Sequence, residues 1–372
     1  MTSSRLRLEA PDLSSRRARL ADWIELQALA SARKSAAISL IRSQVRRQGD
    51  GRERASDVDA DADDTGEAEI TERLADDLEQ KLSEELAFRV DNVGDAYPFE
   101  LVTNSAGRSQ LLKLRSTWNS AASGELAYVF CLLDSGIRDG LIKCPASARR
   151  LVDAIGNVFQ ICSCVAVGGY FNAEVVSFGF PRATGTSFLP ALRQVWGRYG
   201  SYSIRDRIPH GFDDKLKDGG IDIIAWRHFA DGFAATLIMF VQVASGLDWK
   251  DKEVAGDVRT LKMWFAGPAI EHFVPAICIP FPLWFDLDEP ALDADGKRST
   301  FSNGVQNRFM YREGKFGVIF DRGRIARFWA HALAAQAAKL LPHPVDGIDR
   351  ISEVEGWVSE VMSRLAEVRA DP

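Results

Sequence analysis

Two apolar segments, 221–226 and 236–244, flank an Asp231-Gly232 pair, and this arrangement constrains the fold more than any other feature of the chain. Both segments are rich in Ile, Val and aromatic residues and are bounded by turn formers, so they read as strands. Asp-Gly between two such runs is a strong hairpin signal. The twelve-residue stretch 233–244 is also the longest apolar run, with Gln242 inside it. A membrane span needs about 20 apolar residues, so no crossing is expected.

The surrounding elements make this hairpin part of a larger sheet. Residues 147–168 carry Leu151, Ile155, Val158, Phe159 and Cys162 at spacings of three and four, a helical period. A short strand at 173–180 follows, then a helix at 187–199. After the hairpin, Asp248 is placed to cap a helix running to about 265, and 273–279 is a further strand. Pro275 inside that strand predicts an edge position or a bulge. Residues 322–341 and 351–368 read as closing helices, with a polar loop at 286–304 before them. The predicted fold class is mixed α/β, with a central mixed sheet flanked by helices.

The first 145 residues read as a mainly helical region. One helix is expected over 20–47 and another over 68–91, with a short strand at 98–102 and a buried apolar run at 126–133. Between the helices, 48–66 has almost no apolar content and reads as a solvated, disordered acidic loop. The resulting division is 1–145, 146–285 and 286–372.

Charge is local rather than global. Residues 1–50 carry ten Lys/Arg against five Asp/Glu, whereas 51–100 carry five against seventeen, within a net of −6 for the chain. No whole-chain basic signal therefore points to a nucleic acid, and none excludes one, because binding follows local patches. The five arginines before residue 20 stand without an apolar stretch, so no secretory signal is expected, and Glu9 and Asp12 argue against a transit peptide. Five cysteines with no Cys-x-x-Cys pair fit reduced thiols and a cytoplasmic location. The five histidines show no paired spacing, which argues against zinc. No phosphate-binding glycine loop or nucleophile elbow is present.

The chemistry concentrates at 217–252. The hairpin brings Asp222, at the start of one arm, and Gln242, at the end of the other, to the same end of adjacent strands. A carboxylate, an amide oxygen and the Val243 carbonyl are hard oxygen donors of the kind that suit Mg²⁺ or Mn²⁺. Such an ion activates water and screens a phosphodiester.

The segment Asp218-Gly219-Gly220-Ile221-Asp222, followed by an apolar strand ending in Gln242, resembles the PD-(D/E)xK nuclease superfamily and is most similar to Mrr-type restriction endonucleases. The order helix, strand, strand, strand, helix, strand over 147–279 also resembles that core, with 187–199 as an insertion. The likeness spans about 130 of the 372 residues. The run from Gln242 through Ala244 and Gly246 to Trp249 and Lys252, together with Tyr97-Pro98-Phe99-Glu100, is similar to uncharacterised bacterial proteins associated with defence. The resemblance implies a restriction-endonuclease-like core, DNA cleavage with Mg²⁺ or Mn²⁺, and a role in restriction or anti-phage defence, with a protein partner in a defence complex as a further expectation.

By the same resemblance, Asp222 is the central metal ligand, Gln242 stands at the family's second ligand position and the Val243 carbonyl completes the set. Ala244 occupies the family's lysine position, so Lys252, or else Lys250, is the candidate migrated lysine. Gln160 stands where relatives have a glutamate on the first core helix, with Asp153 or Glu174 as substitutes. These two departures imply an alternative: an inactive nuclease-like subunit that binds nucleic acid or scaffolds a complex.

Each residue also has a plainer reading. Asp222 caps a turn, Asp218 shapes the preceding loop, Gln242 is a core amide bonded to backbone, and Lys250 and Lys252 lie on a solvated helix face. Arg182 either approaches a phosphate or is a surface arginine at a strand end. Asp321 and Arg324 either form a basic helix start or a capping pair, and Trp249 either packs the core or walls the site. An ordinary α/β protein with no phosphodiester role is the third reading.

Overall fold

The computed structural model describes residues 5–15, 17–53, 64–103, 110–116, 123–180, 182, 185–199, 203–212, 217–228, 231, 237–267, 273–283, 311–341 and 344–365. In the first part of the chain β1 (Arg7–Leu8) precedes α1 (Arg17–Ala30), β2 (Ser35–Ala37), α2 (Leu40–Glu53) and α3 (Asp64–Val93). Then come β3 (Phe99–Thr103), β4 (Gln110–Leu114), α4 (Glu125–Arg138) and β5 (Ile142–Lys143).

The helix expected over 20–47 is interrupted. Lys34 takes a left-handed φ of 53° and its Nζ donates to the Leu29 carbonyl at 2.8 Å, which ends α1. Residues 35–37 then pair with β4 in a small antiparallel sheet of order β2-β4-β3. Strand pairing with a distant segment outweighs the local helical period there. Residues 48–53 belong to α2 and 64–66 to α3, so the acidic loop is shorter than expected; 54–63 lie outside the described residues, as does the loop at 286–304.

The second part holds α5 (Arg149–Phe171), β6 (Glu174–Ser177), α6 (Phe188–Tyr199), β7 (Ser203–Ile204), β8 (Ile223–Arg227) and β9 (Leu237–Val243). It continues with α7 (Val254–Leu261), β10 (Phe265–Ala266), β11 (Val274–Cys278), β12 (Val318–Phe320), α8 (Arg322–Ala337) and α9 (Ile351–Leu365). The central sheet has the order β12-β11-β9-β8-β6. β8 is antiparallel to β6 and β9, whereas β11 is parallel to β9 and β12, so the sheet is mixed.

Alternation along the strands separates two apolar faces. Ile223, Ala225, Met239, Val241 and Cys278 join a core with α5 and α8. Ile224, Trp226, Ile238, Phe240 and Ile277 join a second core with α6 and α7. The first core runs without a break from Leu6 to Leu365, across the 145/146 and 285/286 divisions.

α5 and α8 cross at close range because residue 169 is glycine: a Cβ there would lie 1.9 Å from the Phe328 carbonyl oxygen. Among the described residues, 146–171 is the one helical stretch long and apolar enough to cross a membrane, and 67% of its most apolar window is buried inside the molecule.

Two local expectations change. Residues 247–251 form a 3-10 turn, α7 starts at Val254 and ends at Leu261, and Asp248 makes no cap. Lys252 is extended, which breaks the helix there, and Phe265 leaves it to pair with Ile204. β11 is an interior strand, but β12 begins only opposite Ala276, so Pro275 has a ladder neighbour on the β9 side alone. A missing N–H is tolerated at such a position.

Candidate functional site

β6 is the edge strand next to β8, and its chain continues past Ser177 as a strap over the start of β8. The main-chain carbonyl of Asp222 holds that strap. It accepts from the N–H of Phe178 at 2.7 Å, the N–H of Gly179 at 2.8 Å and Nε2 of Gln160 at 2.6 Å. Gln160 Nε2 also lies 3.3 Å from Ser177 Oγ. α5, the strap and β8 are thus tied together at one carbonyl.

The Asp222 carboxylate stands beside the end of β9. Its Oδ2 accepts the Val243 N–H at 2.7 Å, a bond that a strand carbonyl would otherwise take. Oδ1 and Gln160 Oε1 face the space beside Gly179, where a Cβ would lie 2.8 Å from the first and 3.4 Å from the second. Burial pushes the Asp222 carboxyl up to about 7. The Val243 N–H pulls it down, Asp218 pushes it up and the Lys252 ammonium pulls it down.

These groups line a cleft of about 740 Å³ between α5, α6, the strap and residues 346–350. Gln160, Asp222, Val243 and Ser245 lie on its wall, as do Phe178, Gly179, Phe180 and Arg182. Asp346 Oδ2 accepts the Ser177 N–H at 2.9 Å, fixing the far side of the strap.

The sequence-predicted residues are therefore brought together unequally. Asp222, Gln160 and Val243 share the cleft. Gln242 falls opposite Asp222, one step beyond the last ladder pair, Ile223 with Val241. Its side chain is 9% exposed and is not on the cleft surface, and its Oε1 has no hydrogen-bond partner. A backbone-satisfied core amide is thus not what the structure places there.

Lys252 sits in the electrostatic field of Asp222 and of Asp257, and its Nζ is 3.6 Å from Asp248 Oδ2. Lys250 lies elsewhere: its ammonium is over the Trp249 ring at 5.7 Å, and Trp249 is buried in the second core. Of the substitutes, Glu174 is bonded to Arg198 opposite Trp226, away from Asp222, and Asp153 is an exposed partner of Arg149. Ala244 is buried in the second core.

Other sequence candidates resolve similarly. Asp218 accepts the Gly220 N–H at 3.0 Å and shapes the loop. Asp321 caps α8 by accepting the Arg324 N–H at 3.0 Å. Arg182 is a cleft residue, donating to the Thr186 and Lys217 carbonyls with its guanidinium 4.5 Å above the Phe178 ring. His272 and His343 lie outside the described residues. Gly179 and Ser245 were not singled out from the sequence, since a glycine at a strand end is an ordinary turn signal and a lone serine carries none.

Among the described residues no group of three or more His, Cys, Asp or Glu side chains is placed to hold a metal ion. Mg²⁺ does not require such a group. It keeps several waters and is bound through one or two carboxylates plus substrate phosphates. One carboxylate oxygen and one amide oxygen facing a gap that a Cβ would fill, with the unpaired Gln242 oxygen on the neighbouring strand, fit a hard cation of that kind.

A second polar centre lies deep between α1, α3, α4 and α8. Asp22 accepts from Arg322 at 2.8 Å twice and from Arg89 at 2.7 Å. Arg89 also meets Glu25 at 2.7 Å and Glu85 at 2.9 Å. Tyr97 and Tyr128 donate to Glu25 at 2.7 and 3.0 Å. Its residues are buried. This gives Tyr97 a structural role that its motif alone did not indicate.

No family model, curated protein or solved structure matches the chain.

Proposed function

We propose that this protein is a metal-dependent endonuclease that cleaves DNA phosphodiester bonds, of the PD-(D/E)xK type and Mrr-like, in bacterial restriction or anti-phage defence. The observation that supports this reading best is the meeting of Asp222 and Gln160 at Gly179. A helix residue and a hairpin residue more than sixty positions apart present oxygens to one gap in a cleft. The antiparallel β8–β9 pair followed by parallel β11 also agrees with the element order on which the resemblance rests.

In this reading Asp222, Gln160 and the Val243 main chain hold Mg²⁺ or Mn²⁺, with Gln242 behind them. The bound ion would lower the pKa of a coordinated water and offset phosphate charge. Asp222 supplies the anionic ligand and is oriented by the Val243 N–H. Gln160 fixes the Asp222 main chain. Lys252 supplies positive potential near the attacked phosphate, the role of electrostatic stabilisation.

The second reading, a nuclease-like subunit that binds nucleic acid or scaffolds a defence complex without cutting, is favoured by two facts. Residue 244 is a buried alanine, and Gln160 brings no charge.

Plasmid DNA incubated with the protein and Mg²⁺ or Mn²⁺ separates the readings, with Asp222→Ala as control. Metal-dependent cutting lost in the variant supports the endonuclease. Binding without cutting supports the inactive subunit. Neither cutting nor binding overturns both.

A further inference from the structure

We propose that the cleft takes a single nucleic-acid strand rather than a duplex, with Phe180 stacking on a base at the cleft wall; this rests on the nuclease reading above. The first argument is size. A cleft of about 740 Å³ is on the scale of a small-molecule pocket, roughly 300–1,000 Å³. A double helix, whose major groove alone is about 12 Å wide and 8.5 Å deep, does not enter such a space. The Asp222 carboxylate is inside it, roofed by the Gly179 segment that bonds to the Asp222 carbonyl. A phosphate reaches the carboxylate only on a chain thin enough to enter.

The second argument is the lining. Phe180 is on the cleft wall and remains 52% exposed. The Lys217 ammonium is 5.6 Å from the centre of its ring, and the neighbouring Phe178 carries Arg182. An exposed aromatic flanked by cations is the arrangement on which single-stranded bases stack. The wall is otherwise mixed in charge: Arg182, Arg198 and Arg350 are matched by Asp153, Asp346 and Asp349 in addition to Asp222. Duplex binding draws chiefly on phosphate neutralisation, which this wall supplies poorly. Stacking does not need net positive charge.

The test uses the full chain carrying Asp222→Asn, in EDTA, with fluorescein-labelled 12-nucleotide single-stranded DNA, RNA of the same sequence, and the matching DNA duplex. Anisotropy is expected to show at least one of the single strands bound roughly tenfold tighter than the duplex. Phe180→Ala is expected to weaken that binding by roughly 5- to 150-fold, the range for one stacked base, and Phe180→Trp to preserve it. Phe180 is exposed, so its replacement leaves the core intact. Duplex binding as tight as single-strand binding, or no effect of Phe180→Ala, overturns the inference and leaves the nuclease reading standing if the parent protein cuts plasmid. No binding of any strand, with no plasmid cutting by the parent, overturns both.

Discussion

Gly179 and Asp222 are in a contact that only glycine permits: a Cβ at 179 would lie 2.8 Å from Asp222 Oδ1. The neighbour in the way is a carboxylate held by the Val243 N–H, not the free end of a flexible chain. Added atoms in a packed site force displacement at about 1–3 kcal/mol. Gly179→Ala is therefore expected to lower stability by that amount and to swing the carboxylate out of the cleft. Thermal unfolding reads the first effect, and loss of metal-dependent cutting in a protein that still folds reads the second. A Gly179→Ala protein with parental activity removes the contact from the site's requirements.

Gln160 offers a sharper substitution. Its Nε2 is one of three donors on the Asp222 carbonyl. Gln160→Glu restores the acid that the resemblance associates with this helix, but it replaces the donor with an acceptor. Two carboxylates then face the Gly179 gap, and like charges disfavour each other. Without metal, Gln160→Glu is expected to be about 1–3 kcal/mol less stable near neutral pH, the range for an unsatisfied buried group. Added Mg²⁺ or Mn²⁺ is expected to recover more stability in this variant than in the parent, since a ligand that binds the folded state stabilises it. Melting curves with and without metal measure both.

How much of this was readable beforehand follows from the range of each interaction. The β8–β9 hairpin and α5 are encoded by local periodicity and turn residues, and both form close to where the sequence places them. The 31–37 break is not local, because β2 exists only through its partner β4, some seventy-five residues away. The same holds for the site. Asp222 and Gln160 are individually suggestive, but the sequence pairs Asp222 with Gln242, whereas the cleft pairs it with Gln160 and Gly179. Strand alternation supplies ladder neighbours; it does not supply the strap that crosses them. The Asp22–Arg322 pair joins residues 300 positions apart and has no sequence signature at all.

That pair sets a third prediction. Asp22 lies between two buried arginines, and although burial alone raises its carboxyl, Arg322 and Arg89 outweigh this and hold it below the usual range. Asp22→Ala leaves Arg322 with Ser135, the Pro280 carbonyl and a 3.7 Å approach to Glu25. Removing one member of a buried ion pair costs about 3–5 kcal/mol because the other charge stays buried. Urea unfolding of Asp22→Ala is expected to show a loss of that size, with the cleft's oligonucleotide binding lost only where the fold is lost. A loss below about 1 kcal/mol would mean that the cluster is hydrated.

Asp222 provides a pH signature separable from those of the other carboxyls. Its folded-state value of about 7 is far above the ordinary 3.8, with burial as the main cause. The folded protein therefore holds this proton more tightly than the unfolded chain. The associated stability is fully present below about pH 4 and is lost as pH rises through about 7. Glu85 and Asp134, also raised to about 7 by burial, act in the same direction. Asp222→Asn removes one contribution of the three while keeping an oxygen to accept the Val243 N–H. The variant is expected to match the parent near pH 4 and to exceed it in stability by on the order of 1–3 kcal/mol at pH 8. The parent's nuclease activity should run the opposite way, rising through pH 7 as the carboxylate ionises, since a metal ligand must be deprotonated. Denaturant midpoints of the two proteins across pH 4–8 measure the difference. A constant gap at every pH would place the Asp222 carboxyl in contact with water and remove the desolvation on which its raised value depends.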